Sequence, residues 1–164
     1  MENCMKFVQM ICFITVLMFS NMVVADVSDA PAFKLPALLG EVELANFRGK
    51  VVYLDFWASW CLPCRKSFPW MNEMMAAYKD KGLEIVAINL DKDKTKADAF
   101  LKKVETNFTI AFDQQGDSAK AYKLRGMPGS YLIGRDGKLY ASHIGFREKD
   151  KPIMEQAIQQ LLKQ

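Results

Sequence analysis

The chain has 164 residues, 51% of them hydrophobic, and a formal net charge of +3. That is enough apolar material for one domain with an ordinary core, and too small a charge for a nucleic-acid-binding surface. Lys92, Lys94 and Lys96 are interleaved with Asp91, Asp93 and Asp98, the composition of a solvated helix face rather than a basic patch.

The first two dozen residues stand apart from the rest. Phe7 to Phe19 is an apolar run broken only by Gln9 and Thr15, and Val23-Val24-Ala25 precedes the polar Asp26. The pattern predicts a secretory signal over residues 1–25, cleaved after Ala25, with the domain proper spanning 26–164. Phe7 to Val24 is also long enough to stay in place as a single tilted membrane anchor, so a soluble exported form and an anchored one both remain open. Cys4 and Cys12 fall in this leader, without a lipid-attachment pattern around either.

Beyond the leader, Phe33 to Leu35 and Glu41 to Leu44 read as short strands around Leu39-Gly40. Val51 to Trp57 is a long strand, apolar apart from Asp55, and by its composition a central one. From Cys61 to about Lys81, Phe68, Met71, Met75 and Tyr78 recur at helical spacing, and Gly82 stops the helix. Leu83 to Leu90 is another buried strand, Lys94 to Thr106 a helix, Phe108 to Phe112 a strand and Ser118 to Lys123 a short helix. Ser130 to Ile133 and Lys138 to Ile144 form strands around Asp136-Gly137, and a helix from Asp150 or Lys151 to Lys163 closes the chain. This alternation describes an α/β domain with a mixed sheet and helices on both faces.

Outside the leader the only cysteines are Cys61 and Cys64, in Asp55-Phe-Trp-Ala-Ser-Trp-Cys-Leu-Pro-Cys, where a strand runs into a helix. A thiol at a first helical turn faces unpaired N–H groups and the positive end of the helix dipole, and both favour the thiolate that attacks disulfides. A bridge across two intervening residues closes too small a loop to stabilise much, so function explains the pair better than structure does. A structural zinc site needs about four ligands, and two thiols with the single His143 do not supply them. No metal or other cofactor is expected beyond the Cys61–Cys64 redox pair.

At these residues the chain resembles a known family. Asp55-Phe-Trp-Ala-Ser-Trp-Cys-Leu-Pro-Cys-Arg, Pro69, Gly126-Met-Pro-Gly-Ser-Tyr-Leu-Ile, Asp136-Gly-Lys and Gly145 resemble thioredoxin-fold proteins. The strand extension from Phe33 to Leu44 and the added helix and strand from Lys94 to Phe112 resemble the TlpA/ResA group of exported thiol-disulfide oxidoreductases. The likeness spans residues 30–163. It implies a thioredoxin fold with an N-terminal strand extension and a central helix-strand insertion. It also implies disulfide exchange with protein substrates through Cys-Leu-Pro-Cys, in the periplasm or an equivalent exported compartment, and a membrane-bound thiol donor of electrons.

Chemistry and resemblance together suggest the roles. Cys61, first in the helix, is expected to be the nucleophile and Cys64, one turn in, the buried resolving thiol. Asp55 matches the buried carboxylate beneath the resolving cysteine, its pKa raised by desolvation so that it takes the Cys64 proton. A strand-edge carboxylate bonded to backbone is the alternative. Trp57 reads as core, and Trp60 as a cover for the sulfur and part of a substrate surface. Pro63 suits a first helical turn because it needs no donor there. Pro128 matches the family's cis-proline, leaving the Met127 backbone for an extended peptide; without the resemblance a trans turn is the default. Gly145 would allow that peptide close approach, with a bulge as the other reading. Met127, Trp60 and Phe146 outline an apolar groove. His143 reads as a half-exposed strand residue rather than a base.

Two positions depart from the pattern. Ser67 stands where ResA-type sequences carry glutamate, and Ala87 where thioredoxin carries lysine near the buried aspartate. Acid-base work then falls on Asp55 alone. Reduction of substrates is the leading direction, with disulfide donation as the alternative. A thiol peroxidase, a copper-binding chaperone and a non-catalytic module on the same fold are further alternatives, but the chain lacks a peroxidatic Pro/Thr-rich loop and His143 follows no copper-site pattern.

Overall fold

The computed structural model describes residues 28–164, and the predicted leader, with Cys4 and Cys12, lies outside them. Seven strands and four α-helices follow in order: β1 (Lys34–Pro36), β2 (Glu41–Glu43), β3 (Val51–Trp57), α1 (Leu62–Tyr78), β4 (Leu83–Asn89), α2 (Lys94–Leu101), β5 (Thr109–Phe112), α3 (Asp117–Ala121), β6 (Gly129–Ile133), β7 (Leu139–Ile144) and α4 (Lys151–Leu162). β1 and β2 pair as a small antiparallel hairpin, and the other strands form one sheet in the order β5-β4-β3-β6-β7. β3, β4 and β5 run parallel, while β6 lies antiparallel to β3 and β7 antiparallel to β6. This is the mixed sheet of a thioredoxin fold.

All seven residues of β3 are buried, Asp55 among them, as its otherwise apolar composition requires of a strand covered on both sides. Because side chains alternate, β3 serves two cores. Val51, Tyr53 and Trp57 face a cluster built with Trp70, Met71, Met74 and Met75 of α1, Phe100 of α2, and Met154 and Ile158 of α4. Val52, Leu54 and Phe56 face the opposite cluster with Phe33, Val42, Tyr122 and Tyr131, against the hairpin and the α3 segment. Phe68 anchors the first core, its ring centroid 4.9 Å from Trp57, 5.1 Å from Phe100 and 5.4 Å from Phe108.

The predicted extension and insertion both form. The hairpin lies beside the β5 edge, where Ala37 bridges Ala111, and β5 adds the outermost parallel strand. The helix expected to reach Thr106 stops at Leu101. Lys103 and Val104 donate back only three residues, to Phe100 and Leu101, and Val104 turns its branched side chain onto the core. The expected Ser118–Lys123 helix is Asp117–Ala121, ending before Lys123, whose φ of 52° no helix can continue. α1 becomes a 3-10 turn over Lys79–Lys81, and Gly82 at φ 97° reverses the chain into β4.

Candidate active site

Cys61 ends the loop after β3 and is the N-cap of α1, so its sulfur sits where the helix leaves N–H groups unpaired. Its backbone is extended, and Cys64 donates its N–H to the Cys61 Sγ at 3.3 Å. Pro63 occupies the first turn, where no donor is missed. Cys61 and Cys64 form a disulfide with their Cα atoms 5.3 Å apart. The two ends differ in access: Cys61 retains 5% exposure, whereas Cys64 is sealed at 0%.

Ser67 does not replace the acid–base function of a carboxylate; buried one turn on, its hydroxyl donates to the Cys64 carbonyl at 2.8 Å. Arg65 holds its guanidinium over the Phe100 ring, 5.4 Å from the centroid. Asp55 lies in mid-β3 on the face that α1 covers, opposite Ala87 on one side and Ser130 on the other. It is 1% exposed and its Oδ2 has no hydrogen-bond partner. Desolvation alone pushes its carboxyl well above the usual carboxylate range. The alternative of a backbone-bonded strand-edge carboxylate therefore does not hold: Asp55 sits in a central strand.

The remaining predicted residues separate into surface and core. Trp60 and Leu62, flanking Cys61, are 67% and 66% exposed. Trp57 is wholly buried, as expected. The Met127–Pro128 peptide is cis, and half-buried Met127 packs against the cluster that includes both cysteines. Gly145 donates its N–H to the Pro128 carbonyl at 2.7 Å. Its φ of 85° is the reason for glycine, and a Cβ there would meet open space. Exposed Ile144 adjoins this turn, its Cγ2 close to Gly126. Phe146 does not belong to the predicted groove: it is buried against Trp70, ring centroids 5.8 Å apart.

Asp91, read from the sequence as part of a solvated helix face, instead lies before that helix and is 2% exposed. Asp91, buried just past β4, accepts from the Ser59 N–H at 2.9 Å, the Ser59 hydroxyl at 3.0 Å and the Asn89 amide at 2.8 Å. It thereby ties down the loop carrying Trp60 and Cys61. The available signal was a polar Asn89-Leu-Asp91 ending an otherwise apolar strand. His143 is half-buried on β7 with its Nε2 3.4 Å from Asp150.

A thioredoxin fold with a disulfide at the start of its first long helix is the framework of a thiol-disulfide oxidoreductase. Comparison with known proteins agrees. The Redoxin family model matches residues 26–158. The thiol-disulfide oxidoreductase ResA of Bacillus thuringiensis is 39% identical over 124 residues, 75% of this chain and 72% of that protein. The ResA of Bacillus subtilis is 37% identical over 117 residues, 71% of this chain and 65% of its own length. Among solved structures, a Chlorobium tepidum chain carrying the name thiol:disulfide interchange protein DsbE superposes with a TM-score of 0.82. It is 51% identical, over 83% of this chain and 96% of that one. The chain belongs to the Redoxin family, and within it to the ResA-like thiol-disulfide oxidoreductases.

Proposed function

We propose that this enzyme exchanges disulfides with protein substrates through Cys61 and Cys64, acting as a reductant in an exported compartment. The observation that carries the reading is the asymmetry of the pair: a capping sulfur at the surface end and a sealed sulfur one turn deeper, above a face that holds a buried carboxyl.

In the reducing direction the Cys61 thiolate attacks a substrate disulfide, forming a Cys61–substrate bond as one substrate thiolate leaves. Asp55 takes the proton of Cys64, whose sulfur then attacks Cys61. The mixed disulfide breaks, the Cys61–Cys64 bond forms, and the second substrate thiolate departs. Two electrons have passed to the substrate. No cofactor beyond the pair is needed, and a membrane-bound thiol donor would restore the dithiol.

Trp60, Pro63, Met127, Pro128 and Gly145 make up the substrate surface in this reading. Exposed Trp60 and Leu62 offer apolar area beside the sulfur, and the turn at Met127 suits an extended segment pairing by its backbone. Export rests on the leader-like composition of residues 1–25 and on the resemblance to ResA. No helix among the described residues is long and apolar enough to cross a membrane, so anchoring would fall to the leader.

Insulin-disulfide reduction tests the chemistry: it should occur with wild type and vanish in Cys61→Ser. Cys64→Ala should accumulate mixed disulfides that identify the substrates. A potential more oxidising than that of the glutathione pool would reverse the assigned direction.

A further inference from the structure

Asp55 is buried so completely that a proton taken from Cys64 needs a way out before the next cycle. Across the sheet, Asp55 stands opposite Ser130, and Ser130 opposite His143. Direct antiparallel partners share a face, with Cβ atoms about 4.5–5.5 Å apart. The three therefore form one polar row running from the covered centre of the sheet to its edge strand. Ser130 and His143, with Tyr53, Met154 and Ala157, line a cavity of about 110 Å³ between this end of the sheet and α4. That is room for a short chain of water molecules, provided polar groups hold them.

Polar groups are present. The Tyr53 hydroxyl lies 3.6 Å from the Met154 sulfur and also meets the Ser130 side chain, and burial first, then the Asp55 carboxyl, raise its phenol, so it stays a protonated donor and acceptor. Asp55 Oδ2 is a buried atom without a hydrogen-bond partner, and His143 Nε2, likewise buried, has the Asp150 carboxylate 3.4 Å away. The imidazole nevertheless reaches solvent, with 31% of the side chain exposed.

We propose that His143 is the outlet for the proton that Asp55 takes from Cys64, reached through Ser130 and water in the adjoining cavity. This rests on Asp55 being the acceptor in the reading above. Imidazole is the side chain best suited to take such a proton and hand it to solvent. The step moves a proton only: Asp55 returns to carboxylate, His143 is protonated and then discharged, and the proton reaches bulk water, from which the released substrate thiolate is neutralised. The groups facing the row are few. Ala87 leaves the β4 side of Asp55 uncharged, and Tyr53 is its titratable neighbour. At the other end Asp150 faces His143, itself paired with Arg147 at 2.8 Å, and Lys151 is engaged by Glu148 at 2.8 Å. Tyr131, also at the cavity, gives its hydroxyl to the Tyr122 carbonyl.

The test is the rate at which Cys64 resolves a preformed mixed disulfide, with its pH profile and solvent deuterium effect, in wild type, His143→Gln, Ser130→Ala and Asp55→Asn. The expected result is a roughly tenfold slowing in His143→Gln, restored by added imidazole, at unchanged redox potential. Ser130→Ala should slow the same step without rescue. Resolution at the wild-type rate in His143→Gln, with Asp55→Asn slow, would overturn the outlet and leave Asp55 as acceptor. Wild-type rates in both would remove the acceptor itself. Slowing that imidazole leaves untouched, together with a lowered Tm, would make His143 a packing residue and overturn the proposal.

Discussion

The backbone N–H of Cys64 points at the sulfur of Cys61 across 3.3 Å, so the residue that caps the helix is also the one whose charge that helix stabilises. A hydrogen bond to a charged acceptor is roughly twice as strong as one to a neutral acceptor. The same contact thus favours the thiolate once the disulfide opens, and the helix dipole adds to it. In the proposed mechanism the buried partner, without such help, loses its proton to a base.

Asp55, the proposed proton acceptor, is costly to bury. Burial raises its carboxyl, so between the ordinary value of about 3.9 and the raised native value the folded chain holds a proton that the unfolded chain has lost. The folded state binds more protons, so this group's contribution to stability is complete below about pH 3.9 and is lost as pH rises through the native value. Asp55→Asn is expected to raise Tm at neutral pH, each kcal/mol recovered reading as about 2–4 °C, and to slow mixed-disulfide resolution by about 10²-fold. Calorimetry across pH together with single-turnover kinetics checks both, and a variant that melts lower at pH 7 and resolves normally would contradict them.

The loop before Cys61 depends on Asp91. Asp91→Ala leaves the Ser59 N–H and hydroxyl and the Asn89 amide without their acceptor. An unsatisfied buried group costs about 1–3 kcal/mol, so a loss in that range or above is expected by urea titration. Deuterium exchange should quicken around Ser59 and Trp60 while α4 keeps its protection.

Gly145 is required by its backbone. At φ 85° an alanine meets no neighbouring atom but pays the left-handed penalty of about 1–2 kcal/mol. Gly145→Ala should therefore unfold at lower denaturant with an unchanged m-value, and Gly145→Val at lower denaturant still, because a β-branched residue is strained further at a positive φ whatever the space. An alanine variant as stable as wild type would contradict the backbone account.

Substrate contact should be read at Trp60 and Leu62. Replacing Trp60 with alanine is expected to lower kcat/KM for a protein disulfide about tenfold, roughly 1.4 kcal/mol. The rate with a small aromatic disulfide should fall far less, because that probe needs only the sulfur. Equal losses with both substrates would move Trp60 from recognition to the chemistry of Cys61.

Much of this was legible in the residues because local pattern and tertiary role coincide. The apolar runs Val51–Trp57 and Leu83–Asn89 could only be covered strands, and Cys61-Leu-Pro-Cys could only begin a helix. The end of α2 was not legible, since Lys102 to Thr106 has no breaker and the helix yields to Val104 packing on the core. Phe146 was misplaced because an aromatic beside Gly145 reads equally as surface or core until Trp70 is seen against it. Asp91 with Ser59, and the row from Asp55 to His143, join residues distant in sequence that only strand register brings together.

In the proposed mechanism Cys61 is the ionised nucleophile and Cys64 its shielded partner. Iodoacetamide alkylation of the reduced enzyme from pH 4 to 10, mapped by mass spectrometry, tests it most directly. The predicted result is rapid modification of Cys61 alone, titrating below the ordinary thiol value of about 8.5. Modification led by Cys64, or a Cys61 that titrates like a free thiol, would contradict it.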